Sequence, residues 1–531
     1  MARPQFPFTE VKRMHRWTNF SATLPTREIP VYCTPDVLGT VADDAPHEML
    51  RHGEALKAIL DHCHEGRGRR LRAIGSRWSF SRVIEPEEVV LDPANMSVIL
   101  KVKPDWVTPA YREQRPGHTP VYAQGGAGIS RINRRLGESN LALRTSGAGD
   151  GHRLAGCIAT GTHGSALGIG ALHDTVLGVH LVLASDRALF VQPQTSPSCS
   201  DDVAAWLGRQ TGIPTAPLND DEVFAAAQVS LGSLGFVGGV VLDTVDLYRL
   251  QGETVARPWS DATLWTAIRT LDVSALKSPS MPAGQPYHFE VVMHPYPSQR
   301  GRGAFARMLW KVGADDTAFE SPSPATPATS SDTMGLIAKL SGLVDMQVAT
   351  LALRHILSEQ LAEQFPAGEV PPTFPGVLFG PTSLPPGHGA STEVFTPHER
   401  VEDAIELLYD VLRDEAAEGR HLLGPVALRF VPATSSLLGM NIHPMNCCIE
   451  LPSIRNNEVL GIYRSWWNRL ADHQVPFTCH WGQLHALTPE GVTAYFGNRA
   501  TRWKAARDRL LPSSTARRIF DSPMLADVGL A

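Results

Sequence analysis

The sequence predicts an α+β chain in which short strands and helices alternate and pack in layers. Three observations carry this. Hydrophobic residues make up 43% and charged residues 19% of the 531 positions, enough apolar material for a large core. The 45 glycines and 41 prolines follow no repeat, so turns and irregular connections are frequent and a helical bundle is excluded. In the first half, strand-like apolar runs alternate with helix-spaced ones, the pattern of α+β or α/β layers.

In chain order, Leu56, Ile59, Leu60 and Cys63 lie at helical spacing. Leu71 to Ile74 reads as a strand running into the loop Gly75-Ser76-Arg77-Trp78-Ser79. Glu88–Leu91, Val98–Val102 and Val121–Gln124 read as further strands, and Ile129–Leu136 as a helix after Gly125-Gly126-Ala127-Gly128. Residues 145–170 are too rich in glycine for a long helix. Val176–Ala184 is a buried strand, and residues 229–249 a glycine-rich turn feeding a long strand. Ala314–Met334, rich in Ser, Thr, Pro and Ala, reads as a mobile insert, and Phe365–Gly389 as irregular. Thr396-Pro397-His398-Glu399 has the form of a helix start, with Thr396 as N-cap and Glu399 closing a capping box. Val401, Ala404, Ile405, Leu408 and Leu412 continue it as one apolar stripe. A strand at Pro425–Val431 and a helix carrying Ile462, Tyr463, Trp466, Trp467 and Leu470 follow.

A formal charge of −6 argues against nucleic-acid binding, which needs clustered Lys and Arg on phosphates. No apolar stretch reaches the ~20 residues that span a bilayer, and Met1–Arg16 lacks a signal-peptide pattern. The seven cysteines show no CxxC spacing, so neither structural zinc nor a disulfide framework is expected. A reduced, cytoplasmic protein is the expectation. Cys447 and Cys448 point to opposite faces if they lie on a strand, which favours core packing over a vicinal disulfide.

The loop Ile74–Ser81 and the stretch Gly147–Ser165 can each bring backbone N–H groups against a phosphate. Two such loops, several strands apart, suit a dinucleotide held inside a fold. A Rossmann fingerprint fails, because Arg131 stands where Gly126-Ala127-Gly128 would need a third glycine. His163 is a candidate ligand, base or hydrogen-bond donor, although a structural histidine beside a tight turn is the more ordinary reading. His152, His163, His173 and His180 match no zinc spacing.

Six segments together resemble the FAD-linked oxidases of the vanillyl-alcohol oxidase superfamily, in the branch of the aldonolactone and alditol oxidases. Trp17-Thr18-Asn19-Phe20 resembles the family's Trp-x-Asn-Trp, and IGSRWSFS at 74–81 its GSGHSFS loop. LAGCIATGTHGSALGIG at 154–170 resembles AGxxATGTHGSG, and VSLGSLGFVGGVVLDTV at 229–245 resembles SLGxLGIxTxVTL. VALRFVP at 426–432 resembles ExRFV, and HWGQ at 480–483 resembles HWGK. They follow the family's order, while residues 250–390 are unmatched. The resemblance implies a two-part FAD-binding domain and a cap domain with a large antiparallel sheet flanked by helices. Residues 1–250 would form the first, 251–484 the second, and 485–531 would return to the FAD domain. Gly75, Ser76, Arg77, Trp78 and Ser79 would line the diphosphate. Gly147, Asp150, Gly156, Thr160, Gly161, His163 and Gly164 would supply the second set of contacts, and Val237 would lie by the adenine.

Three departures shape the implied function, an oxidase that passes a hydride from an alcohol carbon of a small molecule to flavin N5, with O2 as acceptor. Trp78 replaces the histidine that many relatives link to the flavin, so FAD should be held non-covalently. Ala427 replaces the glutamate of Glu-x-Arg, leaving Arg429 as the fixed cation and Glu450 on the next strand as a candidate replacement and general base. Gln483 replaces lysine; with His480 it could position substrate or flavin. Loss of two charged groups makes a less polar substrate more plausible. A tailoring enzyme acting on a bulky hydrophobic compound and a flavin-binding module without turnover are the alternatives. Gly147 falls where the resemblance places a small residue on the path of O2 to the flavin.

Overall fold

The computed structural model describes residues 4–35, 45–296, 302–314, 350–379 and 389–531, with 336, 337, 340 and 387. Three sheets organise them. The first holds β1 (Thr9–Trp17), β2 (Arg27–Pro35), β3 (Leu71–Ala73) and β4 (Val89–Leu91) in the order β1-β2-β4-β3. The β1–β2 pair is antiparallel and the other two pairs are parallel. The helical pattern noted at 56–63 belongs to a longer helix, Ala45–His64, whose Leu56, Ile59, Leu60 and Cys63 are buried in the main core.

The second sheet contains β5 (Ile99–Lys101), β6 (Thr119–Gln124), β7 (Leu141–Leu143), β8 (Val176–Ala184), β9 (Arg187–Gln192), β10 (Thr215–Asn219) and β11 (Phe236–Asp246). Its order is β10-β9-β8-β11-β6-β5, with β7 on the far end of β11. Strands β8 and β11 sit centrally and are buried on both faces, which is why they read as unbroken apolar runs.

The third sheet is antiparallel throughout and has eight strands: β12 (Tyr248–Pro258), β13 (His288–Met293), β14 (Arg302–Gly313), β15 (Gly368–Thr373), β16 (Gly389–Pro397), β17 (Val426–Pro432), β18 (Met445–Ile454) and β19 (Thr478–Cys479). They run β15-β12-β14-β13-β17-β18-β16-β19. Helices Val401–Ala417 and Asn457–Asp472 bury Leu408, Leu412, Ile462 and Trp466 in the shared core. The last helices return to the second sheet. Trp503 Nε1 donates to the Val229 carbonyl at 3.1 Å, and Arg507 Nε to that of Ser233 at 3.2 Å.

Two local expectations are corrected. The segment Thr396–Glu399 does not begin a helix: β16 continues to Pro397, a 3-10 turn covers His398–Arg400, and the helix starts at Val401 without a side-chain cap. Pairing of Thr396 and Pro397 with Cys447 and Asn446 holds them in the sheet and outweighs the local capping signal. Within Phe365–Gly389, Gly368–Thr373 forms an edge strand, where its two prolines are tolerated, and Pro375–Leu378 forms a helical turn. The insert read at 314–334 lies, from 315 on, outside the described residues. All seven cysteines are buried and unbridged, Cys447 and Cys448 included.

Candidate functional site

Two cavities lie between the sheets and share Trp78, Ser79, His152, Thr160 and Thr162 as common walls. The first has about 1030 Å³ of empty space. Gly75, Ser76, Arg77, Trp78 and Ser79 line it, as do Gly156, Thr160 and Val237. Strand β3 ends at Ala73 and delivers this loop into the opening. Among the described residues, none of the backbone N–H groups of residues 75–79 donates a hydrogen bond within the chain. Five consecutive free amides on a cavity wall suit an anion. A side chain on Gly156 would meet no atom within 4 Å, so it would project into the open space. This cavity therefore fits the diphosphate of a dinucleotide.

Gly147, Asp150, Gly161 and Gly164 line neither cavity. Packing accounts for three of them. A Cβ on Gly147 would lie 2.8 Å from the Thr162 methyl, and one on Gly164 would lie 2.3 Å from the Ser146 carbonyl. Gly161 ends the helix Leu154–Thr160 in the left-handed conformation, at φ 80°. The glycine at 147 is thus explained without an oxygen path, and Ala148 and Gly149 are the residues of that loop that reach the second cavity. Gly126 is also a packing glycine, since a Cβ there would lie 1.7 Å from the Pro93 carbonyl.

Trp78 stands where the cavities meet, its ring 4.6 Å from that of His152 and 5.7 Å from that of Phe20. Gly151 makes room for it, because a Cβ at 151 would lie 2.6 Å from the indole.

The second cavity, about 850 Å³, is lined by Arg429, Glu450, His480 and Gln483 together with His163 and Glu393. Sheet register brings the charges together. Arg429 on β17 lies opposite Glu290 on β13. Ala427, two residues earlier on the same face, lies opposite Glu450 on β18, and Glu450 lies opposite Glu393 on β16. Glu450 thus stands directly beside the position where the carboxylate is missing. Arg429 Nε donates to Glu290 Oε1 at 2.9 Å, and its Nη1 donates to Glu450 Oε2 at 2.7 Å. Burial opposes its charge, but Glu450, Glu290 and Glu393 outweigh that and raise its pKa further, so it stays protonated.

The second oxygen of Glu450 accepts from Gln483 Nε2 at 3.0 Å and from Ser391 Oγ at 3.2 Å. Every oxygen of Glu450 is therefore engaged. Glu393 differs. Its Oε2 faces His163 Nε2 at 3.1 Å, while Oε1 lacks a hydrogen-bond partner. Burial would raise the Glu393 pKa, but His163, and after it His480 and Arg429, hold it at about 2. His163 Nδ1 lies 2.9 Å from the Gly164 carbonyl, so both ring nitrogens face oxygens. Burial works against a charged ring, and Glu393 more than offsets it, raising the His163 pKa.

His480 Nδ1 accepts the Gly482 N–H at 2.9 Å. Since a backbone N–H can only donate, the ring proton sits on Nε2. Burial keeps this ring neutral, with its pKa down to about 3. Among the described residues, Arg429 Nη2, Glu393 Oε1 and Gln483 Oε1, with His152 Nδ1 on the shared wall, are the buried atoms of this cavity without a hydrogen-bond partner.

Glu393 and Glu290 escaped the sequence reading. Each is a lone carboxylate inside a strand that is otherwise buried throughout, HFEVVM and GASTEVFTP, and that anomaly was the available signal. The four histidines noted in the sequence do not converge. His173 bonds Thr434 at 3.1 Å, and His180 is buried on β8. Among the described residues His163, Glu393 and Cys448 have metal-ligand composition. Arg429 lies 3.9 Å from Glu393, and burial holds the Cys448 thiol protonated, so cations already occupy that surrounding.

A family profile described as FAD binding domain matches residues 49–190. The chain is 23% identical over 460 residues to L-gulono-1,4-lactone dehydrogenase of Mycobacterium tuberculosis, covering 84% of this chain and 88% of that protein. It is 25% identical over 221 residues to D-arabinono-1,4-lactone oxidase of Yarrowia lipolytica, covering 40% of this chain and 35% of that one. In fold it superposes on the crystal structure of cholesterol oxidase from B. sterolicum with a TM-score of 0.68 at 14% identity, across 99% of both chains. No helix among the described residues is long and apolar enough to cross a membrane.

Proposed function

We infer that this chain, an FAD-binding oxidoreductase related to the aldonolactone oxidases and dehydrogenases, oxidises a CH–OH carbon of a small molecule in the second cavity, with O2 as the final acceptor. One observation carries the reading. A buried donor, Arg429 Nη2, and two buried acceptors, Glu393 Oε1 and Gln483 Oε1, have no hydrogen-bond partner among the described residues and line a cavity that shares walls with the dinucleotide cleft. An alcohol that becomes a carbonyl needs such a set: an acceptor for its O–H and a donor for its oxygen.

When bound, FAD supplies the hydride acceptor. The chain handles the rest. Glu393 Oε1 takes the hydroxyl hydrogen bond and orients the C–H bond. As hydride leaves, the hydroxyl becomes far more acidic than an alcohol, so even an ion-paired carboxylate receives its proton. Arg429 Nη2 holds the oxygen, Glu450 and Glu290 fix the guanidinium plane, and the His480 Nε2–H adds a neutral donor. Glu450 is thus a positioning residue and Glu393 the acceptor. Glu393→Gln should lower turnover 10–100-fold with flavin content unchanged. A rate near that of the native chain would return the proton to another group.

Two features support a second reading for the substrate. Phe20, Trp78 and Phe80 line the same cavity as the charged residues, giving it an aromatic side. Gln483 also stands there where the family resemblance implies a lysine, which leaves that wall less charged. A bulkier, partly apolar alcohol therefore competes with a sugar lactone. Peroxide production by the purified holoenzyme with lactones, alditols and sterols separates the two and tests the reading: no peroxide with any of them, and no flavin reduction, would overturn it. Anaerobic reduction followed by air-saturated buffer tests the acceptor. Reoxidation over minutes, with fast transfer to an artificial acceptor, would make the protein a dehydrogenase.

Trp78 carries no nitrogen suited to the flavin bond, so FAD is held without a covalent link. The yellow chromophore should leave with the supernatant after acid precipitation. Chromophore retained in the pellet would point to His152, the histidine that shares both cavities. We assign 1–250 and 485–531 to the FAD domain and 251–484 to the cap. Support comes from the confinement of β12–β19 to 248–479 and from the Trp503 and Arg507 bonds to the 229–233 loop.

A further inference from the structure

Three arginines, Arg72, Arg77 and Arg153, line the first cavity. Arg72, on β3, is 5% exposed; its guanidinium reaches the carbonyls of Gly232, at 3.2 Å, and Val83. Arg153, at the start of the helix Leu154–Thr160, donates from Nη1 to the Gly126 carbonyl at 3.0 Å. The guanidinium of Arg77 makes no hydrogen bond among the described residues, and the residue sits in the left-handed region at φ 62° in the loop of free amides. None of the three forms an ion pair among the described residues. Among the described residues, no aspartate or glutamate lines the cavity.

A buried cation without a counter-ion is costly, and buried Arg72 with half-buried Arg77 and Arg153 around one opening leaves a positive field at its wall. Burial holds the Arg72 guanidinium down to about 10, with Asp521 acting on it at a distance, so it remains charged at neutral pH. The second cavity shows the opposite economy: there Arg429 is ringed by three carboxylates. Among the described residues, the first cavity carries positive charge with no carboxylate set against it.

We propose that Arg72, Arg77 and Arg153 form an ionic cradle for the diphosphate of the bound dinucleotide, supplementing the amides of residues 75–79. The proposal rests on the reading of the first cavity as the FAD site. It follows from the Trp78 substitution that retention of the cofactor depends on affinity alone, and the cradle supplies it. Two consequences distinguish it from binding through backbone amides. Retention falls with ionic strength, since the attraction of half-buried Arg77 and Arg153 for phosphate is partly screened. The site also discriminates the dinucleotide from uncharged riboflavin.

The test uses Arg77→Gln, Arg153→Gln and the double variant, leaving Arg72 in place because its two carbonyl bonds hold the fold. FAD and riboflavin affinities are measured by fluorescence quenching on the deflavinated chain at 0.05 M and 0.5 M NaCl, with ADP as competitor. Each single variant should bind FAD about tenfold more weakly, with riboflavin affinity unchanged. The native chain should lose FAD affinity at the higher salt, and the double variant should lose most of that dependence. Equal FAD affinity and an equal salt response in the double variant would overturn the cradle. So would a matching loss for riboflavin, which would mark the arginines as structural. A native chain that binds neither FAD nor ADP would overturn the flavin reading itself, and the cradle with it.

Discussion

Replacing Arg429 by alanine should lower turnover by well over tenfold while FAD stays bound. The guanidinium is the buried cation of the second cavity and the donor left free there, and losing such a donor from a closed site costs ~2–4 kcal/mol of transition-state stabilisation. It does not line the first cavity, so the flavin spectrum should persist. The same change strips Glu290 and Glu450 of their shared partner, and an uncompensated buried charge costs ~3–5 kcal/mol. The melting temperature should therefore fall with the rate. Arg429→Lys separates the two effects. An ammonium keeps the charge and recovers stability in part, but it cannot bond Glu290 and Glu450 in one plane and still offer a third directed N–H. Turnover should stay depressed in a folded, yellow protein. Near-native rates in either variant would remove Arg429 from the chemistry.

Acidification should destabilise the protein from about pH 6.5 downward, well before its carboxylates titrate. His52 and His180 are almost wholly buried, and burial holds both neutral, with pKa values down to about 4; His480 is held down to about 3. In the unfolded chain each imidazole binds a proton below about pH 6.5. The unfolded state then holds more protons than the folded one, so stability falls as pH drops. The loss is of order 1 kcal/mol per pH unit for each ring between the two pKa values. A second phase follows. Glu290 and Glu393 are held at about 2, against the ordinary 4.5, by their cationic neighbours acting against burial. Their contribution is complete above about 4.5 and disappears as pH falls toward 2. Melting temperatures at pH 7.5, 6.0 and 5.0 should decline in order, and His180→Gln should flatten part of the slope. A constant melting temperature across that range would show that these rings are not held neutral.

The α+β layering and the two glycine-rich loops were legible in consecutive residues, and the family resemblance carried by those residues implied the flavin cofactor. These are local matters. A strand buried on both faces, such as Val176–Ala184, must be apolar along its length, and a loop that offers free amides to an anion needs small residues at fixed places. Such demands leave their mark on consecutive residues. Which charged side chains share the second cavity became visible in the folded chain alone. Glu290, Glu393, Arg429 and Glu450 come from four strands separated by as many as 160 positions, Glu290 to Glu450, and only β-sheet register sets them on one face. The folded chain also shows what the glycines do. Gly147 and Gly75 look alike in sequence, yet Gly75 lines the cleft and Gly147 packs on the Thr162 methyl. Thr396–Glu399 has a helix start written in it and lies in a sheet, because pairing with Cys447 and Asn446 exceeds what a cap contributes. Local signals are worth about 1 kcal/mol each; where long-range packing disagrees, the packing wins.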